Sequence, residues 1–518
     1  MQGNMARASK IRASKLAYQS TSQLTLAGFE TPFAQKLSAE NRWVILAHQI
    51  PWDQIVSVYD KQMRNGVTGA SHVNGRVVIG SLVIKHMCNL SDEETILQIQ
   101  ENMYMQYFIG YSGFSNEAPF DSSLFVEIRK RLGPEQVNAI NEKIYQLSKV
   151  KSVKKDEDKN SQKTFSGTTD CSTEINTDNP SHEGRLLVDA TACPQDIAYP
   201  TDLNILNEAR EKSEELIDAL YNKVLHGETK PRTYREKARK IYLGTAQKKI
   251  KSKREIRNAL GRQLRFLNRN IKTIYRLLDF YKTIPLTRHQ YKYLLVIQEA
   301  YRQQKEMRQK KEHSIEHRIV SVHQPHVRPI VRGKARAKTE FGSKLHLSLT
   351  NGFAFMDHLS WDAYNESTLL IDSVEQYKRR NGFYPKEVLA DQIYCTRENR
   401  KQLKLLDIRL IAKPLGRPSA VKREHVRPGE RNPIEGKFGQ AKTAYGLERI
   451  RARLSETSES WIASIILVLN LVKLAGQAPL ALMRKIIQMI FKMEKQKSTC
   501  ATYSVGPNYS KSIFYRMG

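Results

Sequence analysis

Three carboxylates occupy positions that chemistry explains better than solubility does. Asp189 lies inside the apolar, β-prone run Leu186-Leu187-Val188-Asp189-Ala190. An ionised carboxylate there is costly unless it is paired, hydrogen-bonded or holding a cation. Asp391 repeats the pattern at the C-terminal end of Val388-Leu389-Ala390-Asp391-Gln392. Two acids at strand ends of one sheet can converge, although an aspartate that closes a strand is more often a turn former or a helix cap. The third acid is Glu435, in RNPIEGKFGQAKTAYG. There Asn432 reads as an N-cap, Pro433 suits the first helical position, and Ile434, Phe438, Ala441 and Tyr445 form an apolar stripe. Glu435 lies three residues after Asn432 and could simply complete a capping box. It also shares a side with Gly439, Lys442 and Gly446, where the glycines would admit a phosphate backbone and Lys442 would touch it. The helix dipole favours its ionised form, as a metal ligand requires. Three carboxylates are the minimum for a phosphoryl-transfer site with two hard cations about 4 Å apart. Oxygen ligands of this kind suit Mg²⁺.

The elements needed to position these acids are legible. RLLVDATACP is a strand carrying Asp189, and KLHLSLTNGFAFMDHLS reads as a hairpin turning at Asn351-Gly352. EVLADQIY and IRLIAKP are further strands. NESTLLIDSVEQYKRRNG forms a helix from Asn365 to a stop at Gly382, and TRENRKQLKLL forms another opening at Thr396. Strands alternating with helices make an α/β pattern. From about Asn41 to Gly133 the pattern is helical throughout. Ser91 and Glu94 form a capping box, and Ile96, Ile99, Met103 and Tyr107 continue one helix until Gly110. The polar stretch 151–184 has too few large apolar residues for a core of its own and reads as a linker. The apolar run Trp461 to Ala475 is interrupted by Ser464, Asn470 and Lys473 and is too short to span a bilayer, so it reads as a buried helix.

Between Asp189 and the hairpin lies a basic helical insertion. From Thr229 to Tyr281 there are 17 Lys or Arg against 3 acids, Glu236, Glu255 and Asp279. Leu260, Leu264, Leu267, Ile271, Ile274 and Leu278 follow a coiled-coil-like seam. That seam could pair two copies of the chain, or a second helix, roughly Thr287 to Lys311, could fold back on it after Pro285. The charge excess points to a DNA-facing or partner-facing role, and the alternative is a solvated helix pair.

The whole chain of 518 residues has 84 Lys or Arg against 53 Asp or Glu, a net charge of +31. With 40% hydrophobic residues it is neither a wholly disordered protein nor an acidic solvating one. So basic a globular protein is expected to meet a polyanion, nucleic acid first, an anionic membrane surface or the ribosome second. The first 29 residues carry Arg7, Lys10, Arg12 and Lys15 and no acid, and read as an arm able to lie along phosphates. They contain no apolar signal region. Five cysteines without a CxxC pair suggest neither a disulfide framework nor a zinc ribbon, and fit a reducing cytosol. His323 and His326 have HxxH spacing in a Pro-broken stretch with no nearby acid or cysteine, and read as loop residues. Trp361 could stack on an extruded base or belong to the core.

In order, VDAT, LADQIY and R-x3-E-x6-K (Arg431, Glu435, Lys442) resemble the DDE transposases of bacterial insertion sequences, specifically the IS-four/IS-five group. The resemblance covers most of the chain. FGSKLHLSLTNG looks like that group's G-x-K-x-H strand, and the helical block looks like its N-terminal domain. The family signature carries a tyrosine three residues before the arginine, where this chain has Pro428. The resemblance implies an α/β, ribonuclease-H-like catalytic domain, a mixed sheet flanked by helices. It implies Asp189, Asp391 and Glu435 as the catalytic, metal-binding triad, with Mg²⁺ as cofactor and Mn²⁺ able to replace it. It implies that Arg431 and Lys442 contact DNA near the cut; Lys437, Lys344 and His346 are further DNA-binding candidates, and Arg332 and Lys334 belong to a basic strip with Arg328, Arg336 and Lys338 that could track phosphates. The division that follows is a basic arm (1–40), a helical DNA-end-binding domain (41–150), a linker (151–184), a catalytic domain (185–204 and 340–480), the insertion (205–339) and a tail (481–518). The implied reaction is hydrolysis at the element's ends to free a 3′-OH, then attack of that 3′-OH on target DNA, by a homodimer in the bacterial cytoplasm, without a membrane. A catalytically silent DNA-binding descendant and a nuclease of the same fold are the competing expectations.

Overall fold

A computed structural model describes residues 36–63, 73–160, 182–331, 339–413 and 429–476. The first block is helical: α1 (Arg42–Gln49), α2 (Trp52–Met63), α3 (Gly75–Cys88), α4 (Asp92–Glu101), α5 (Met103–Ile109), α6 (Leu124–Arg131) and α7 (Pro134–Asn160). In α3 every residue from Gly75 to Met87 is buried, so this helix is the block's axis. The helix expected to run from Ser91 to Gly110 breaks at Asn102, which has φ −115° and ψ 105°. The Asn102 side chain accepts from the N–H groups of Tyr104 and Met105, so it caps a second helix instead of continuing the first. Gly110 ends that helix at φ 98°. The Ser91 box is half made. Ser91 accepts from Glu94 N at 3.0 Å, while the Glu94 carboxylate accepts from Gln98. Helix α7 runs to Asn160, ten residues into the expected linker, and 161–181 lie outside the described residues.

Strand β1 (Arg185–Pro194) follows, and the chain then leaves the sheet for α8 (Asp202–Leu220), α9 (Lys223–His226), α10 (Arg235–Ala246), α11 (Lys253–Leu278) and α12 (Arg288–Lys310). Both halves of a capping box form at the head of α11 (Ser252 and Glu255) and of α12 (Thr287 and Gln290). The seam of α11 closes inside the chain. Leu264, Leu267 and Ile274 share a core with Leu206, Ala209 and Ile217 of α8 and with Leu294, Ile297 and Ala300 of α12. Of the two expected uses of that seam, the intramolecular one is realised. Buried amides fix its register: Asn270 donates to Ser213 Oγ at 2.9 Å and Gln263 to the Ala238 carbonyl at 2.9 Å.

The remaining strands are β2 (Arg328–Val331), β3 (Thr339–Thr350), β4 (Phe353–Ser360), β5 (Glu387–Leu389) and β6 (Arg409–Ile411), with α13 (Leu370–Asn381), α14 (Arg397–Leu405), α15 (Asn432–Tyr445) and α16 (Ser455–Ala475) between and after them. The six strands form one mixed sheet ordered β3-β1-β5-β6, with β2 and β4 both pairing β3. β1 is antiparallel to β3 and parallel to β5, which is parallel to β6. The hairpin turns at Asn351 and Gly352, with φ 51° and 83°, as a type I′ turn requires. Successive side chains of β1 point to opposite faces. Leu186, Val188 and Ala190 pack with Leu370, Val374 and Leu403 of α13 and α14. Leu187 and Cys193 point to the other side, where Leu347, Ile434, α16 and the N-terminal helices share one continuous core.

The helix expected from the Trp461 run is α16, long and apolar enough to cross a membrane by length and composition, but mostly buried within the fold. Its polar interruptions are used. Asn470 accepts from Ala354 N at 2.8 Å and donates to the Ala354 carbonyl at 2.7 Å and to Asn141 at 3.0 Å, joining β4 and α7. Near the other end, Asp92 accepts from Lys85 at 2.9 Å and Arg129 at 2.7 Å, and both cations lie against the Trp461 ring. Burial pushes Lys85 down to about 8, against the pull of Asp92.

Removing the single carboxylate should leave two buried cations uncompensated. Asp92→Asn is therefore expected to destabilise the protein by about 3 kcal/mol in chemical denaturation. The folded protein releases the Lys85 proton near 8, and the unfolded chain holds it to 10.5. The unfolded state binds more protons in between, so wild type should gain stability relative to Lys85→Met as pH rises across that window.

Candidate active site

The register of two strands brings the first two acids together. β1 and β5 are adjacent and parallel, with Leu187 opposite Leu389. Asp189 and Asp391 each lie two residues further along, at the same level of the sheet. Asp189 points to the face covered by α15, and its side chain is 18% exposed. It accepts from Ala190 N at 2.8 Å. Asp391 is 55% exposed, caps the short 3-10 turn Gln392–Tyr394 and accepts from Gln392 N at 2.7 Å.

Arg431, at the head of α15, lies between them. Its Nη2 is 3.0 Å from Asp189 Oδ2 and its Nη1 is 3.2 Å from Asp391 Oδ1. Burial pushes the Asp189 carboxyl up to about 6; Arg431 and the Ala190 N–H pull it down, and Glu366 and Asp391 add to the rise. The two aspartates thus converge on one cationic group, an arrangement whose donors suit a hard cation.

Glu435 is not gathered in with them. It is exposed on the first turn of α15, and its own N–H donates to the Arg431 carbonyl at 3.3 Å. Among the described residues no group of three His, Cys, Asp or Glu is placed to hold a metal ion. The capping-box role expected for Glu435 is not realised either. The N-cap is Arg431, with no side-chain cap bond, and Asn432 lies inside the helix. Glu435 stands one turn beyond Arg431, on the same side of the helix.

The other expected residues divide. Lys442 is half-buried on the third turn of α15. Lys437 is half-buried and pushed down to about 8 by burial and by Lys473. Lys344 and His346 turn inward. Lys344 is 2.9 Å from Glu366, donates to the Tyr364 carbonyl at 2.8 Å and stacks on the Tyr364 ring, so its charge is already engaged. His346 is fully buried between β3 and α13, beside Ser373 and Tyr394, and faces no solvent. Even-numbered side chains of β3 point toward α13, the pleat having decided this. Arg332, Lys334 and Pro428 lie outside the described residues. His323 bonds Tyr293 and His326 packs on Trp361, whose indole donates to Glu459 at 2.7 Å, so these loop residues have separate partners. Cys193 and Cys395 are buried and are not joined in a disulfide.

Two residues of the site emerge only in the structure: Glu366, whose charge reaches Asp189, and Tyr394, whose hydroxyl is driven far above its ordinary range by burial, then by Glu366 and Asp189. Neither carries a local signal, since a Glu after an Asn cap is ordinary helix chemistry.

Residues 388–472 match the family model described as Transposase DDE domain, and residues 31–131 match Transposase domain (DUF772). The first match contains Asp391, Arg431 and Glu435. A protein of Rhizobium meliloti named Uncharacterized protein ORF8 in nfe locus is 28% identical over 166 residues, 32% of this chain and 68% of that protein. No solved structure matches. The two domain matches indicate a DDE transposase and support a DNA transposase function.

If His346 supports the Asp189 strand and does not touch DNA, His346→Ala should cost about 2 to 3 kcal/mol of stability through the cavity it leaves. The salt dependence of DNA binding, measured by fluorescence anisotropy, should stay unchanged. A flatter salt slope at unchanged stability would return His346 to the DNA surface.

Proposed function

We propose that this protein is a transposase of the IS-four/IS-five group with a ribonuclease-H-like catalytic domain. It cleaves the ends of an insertion sequence and joins the freed 3′-OH ends to target DNA by Mg²⁺-dependent two-metal phosphoryl transfer. The observation that carries this reading is the convergence of Asp189 and Asp391, from adjacent parallel strands, on one guanidinium at the head of the helix that bears Glu435. The mixed sheet flanked by helices and the two domain matches support it.

In this reading Asp189 and Asp391 would hold the metal ions, with Glu435, on the first turn of α15, as the third carboxylate. Mg²⁺, or Mn²⁺ in its place, would there supply Lewis-acid activation of the attacking oxygen and charge stabilisation of the leaving one. The half-buried setting of Asp189 strengthens every charge interaction at the site. Arg431 and Lys442 contact the phosphodiester backbone near the cut, Arg431 through a guanidinium whose fork matches phosphate oxygens. Water attacks the end phosphodiester and expels a 3′-OH, which then attacks a target phosphorus in line and expels a target 3′-oxygen. Two ends need two sites, so a homodimer acts, in the bacterial cytoplasm and on nucleoid DNA. Its contact lies outside the α11 seam, which is already buried within the chain.

One observation favours a second reading. Glu435 stands apart from the aspartates, as it would in a catalytically silent, DNA-binding descendant. Wild type, Asp189→Asn and Glu435→Gln should be compared with Mg²⁺ and DNA spanning the gene's flanking ends. Cleaved and joined products are expected from wild type alone. Each variant should lose at least about a thousandfold in rate, or ~4 kcal/mol. Binding without products from any of the three would favour the silent descendant, cleavage without joining would favour a nuclease, and wild-type rates from Glu435→Gln would remove that residue from the site.

A further inference from the structure

We propose that the outer face of α11 is a second DNA-binding surface, a track for the phosphate backbone of duplex DNA, separate from the carboxylate site. The proposal rests on the DNA transposase reading for its choice of polyanion. Opposite the buried seam, roughly 160° around the helix, the side chains of Arg254, Arg262, Arg265, Lys272 and Arg276 form one exposed row. None of the five has an ion pair or hydrogen bond among the described residues. The only acid within α11 is Glu255, at its first turn, where it is held by Ser252 and Lys248. Arg269, on the same face, donates to the Thr233 carbonyl at 3.0 Å and lies 4.2 Å from the centre of the Tyr234 ring, so it belongs to the wall of the insertion.

The neighbouring helix answers part of its exposed charge on its own surface. On α12, Arg302 pairs with Glu299 at 2.6 Å and Glu306 at 2.9 Å, and Lys310 pairs with Glu306 at 2.7 Å. Those cations are neutralised within one turn, the usual solution for an exposed helix. On α11 the same solution is absent over the whole length. Like charges on one face repel, and a helix that keeps them unpaired is stabilised by an anionic partner. The row is also rigid. The helix is capped at its head and packed along its seam against α8 and α12, so binding need not order it.

The geometry selects the partner. From Arg254 to Arg276 the row extends about 33 Å at 1.5 Å per residue, close to the roughly 34 Å turn of B-form DNA. A duplex presents phosphates on a rigid scaffold of that length, and guanidinium groups bind them bidentately. α10, packed beside α11, adds the exposed Lys237 and Lys240.

The test uses the full-length protein and a mixed-sequence DNA duplex of about 30 base pairs, some three turns. Affinity is measured against KCl concentration in EDTA, where no cleavage occurs. The variant Arg262→Gln/Arg265→Gln/Lys272→Gln/Arg276→Gln keeps good helix formers. It is compared with Lys292→Gln/Arg302→Gln/Lys305→Gln/Lys310→Gln on α12, which removes the same charge. Each lost phosphate contact should flatten the slope of log affinity against log salt by about 0.9, so the α11 variant should lose about 3 to 4. The α12 variant should lose less than about one such contact. A lysine version of the α11 variant should retain the slope, which separates charge from folding. Equal losses on both helices, no loss on α11, or better displacement of the DNA by polyglutamate than by unlabelled duplex would overturn the proposal. Because the readout is metal-free binding, a protein that shows this slope yet never cleaves would refute the catalytic reading alone.

Discussion

A carboxylate in the middle of a central strand is the constraint around which this structure is arranged. Asp189 is hemmed in by strands on both sides and covered by α15, so little water reaches it, and its carboxyl is pushed up to about 6. Such a group is tolerated only where an opposite charge is fixed nearby. Arg431 provides it. For that guanidinium to reach both Asp189 and Asp391, β5 must lie directly beside β1 in parallel register, and the head of α15 must stand over the two strand ends. Ile434, Phe438 and Ala441 anchor α15 in the main core, and Arg431 precedes the first of them by less than one turn. The polar site is thus located by apolar packing.

That core also joins regions that the sequence divides. Residues of α1 through α7, the β3–β4 hairpin, α15 and α16 contribute to one continuous cluster. The helical block therefore shares its core with the mixed sheet across α16. The buried charges at the junction act in the same sense. Asp92 ties Lys85 and Arg129 together against Trp461, and Asn470 joins the hairpin to α7. Paired groups of this kind add little net stability relative to apolar packing, but an unpaired member is heavily penalised, so they enforce a single docking geometry.

Where the determining interactions are local, the sequence discloses them. The Asn351-Gly352 turn, the helix starts at Thr287 and Thr396, the stop at Gly382 and the α11 seam all rest on contacts within a few residues or on a simple period, and each occurs in the structure. The break at Asn102 was hidden because the apolar period continues through it, and the competing cap bonds leave no mark on that period. Asn432 was misread as a cap by one residue, the usual uncertainty of a helix end. At the site, the paired aspartates were legible because both interrupt apolar strands. Arg431 as their bridge was not, since its partner Asp189 lies 242 residues away. The inward turn of His346 and the pairing of Lys344 with Glu366 likewise depend on which face of β3 meets α13, and a motif of residue types carries no such information.

The same reasoning explains how a large insertion can follow directly after the strand that bears Asp189. A loop opened there would tend to loosen β1, because its two ends are free to separate. The chain closes the opening at its base. Gln195, the residue after β1, donates to Ser458 at 2.7 Å, to the Ala452 carbonyl at 3.2 Å and to Gln324 at 3.3 Å, and Gln324 lies just before the chain re-enters the sheet at β2. Its N–H donates to the Phe341 carbonyl at 2.8 Å, extending the β1–β3 ladder past the exit point. A second clamp forms further out, where Asp202 at the head of α8 accepts from Arg318 at 2.8 Å and from Gln304 of α12 at 2.9 Å. With both ends of the excursion bonded to each other and to the start of α16, the insertion behaves mechanically as an attachment with its own core. Leu206, Leu267 and Ile297 pack in that core, and the Gln195 amide ties the base of the excursion to Ser458 and Gln324 before the chain resumes the sheet at β2.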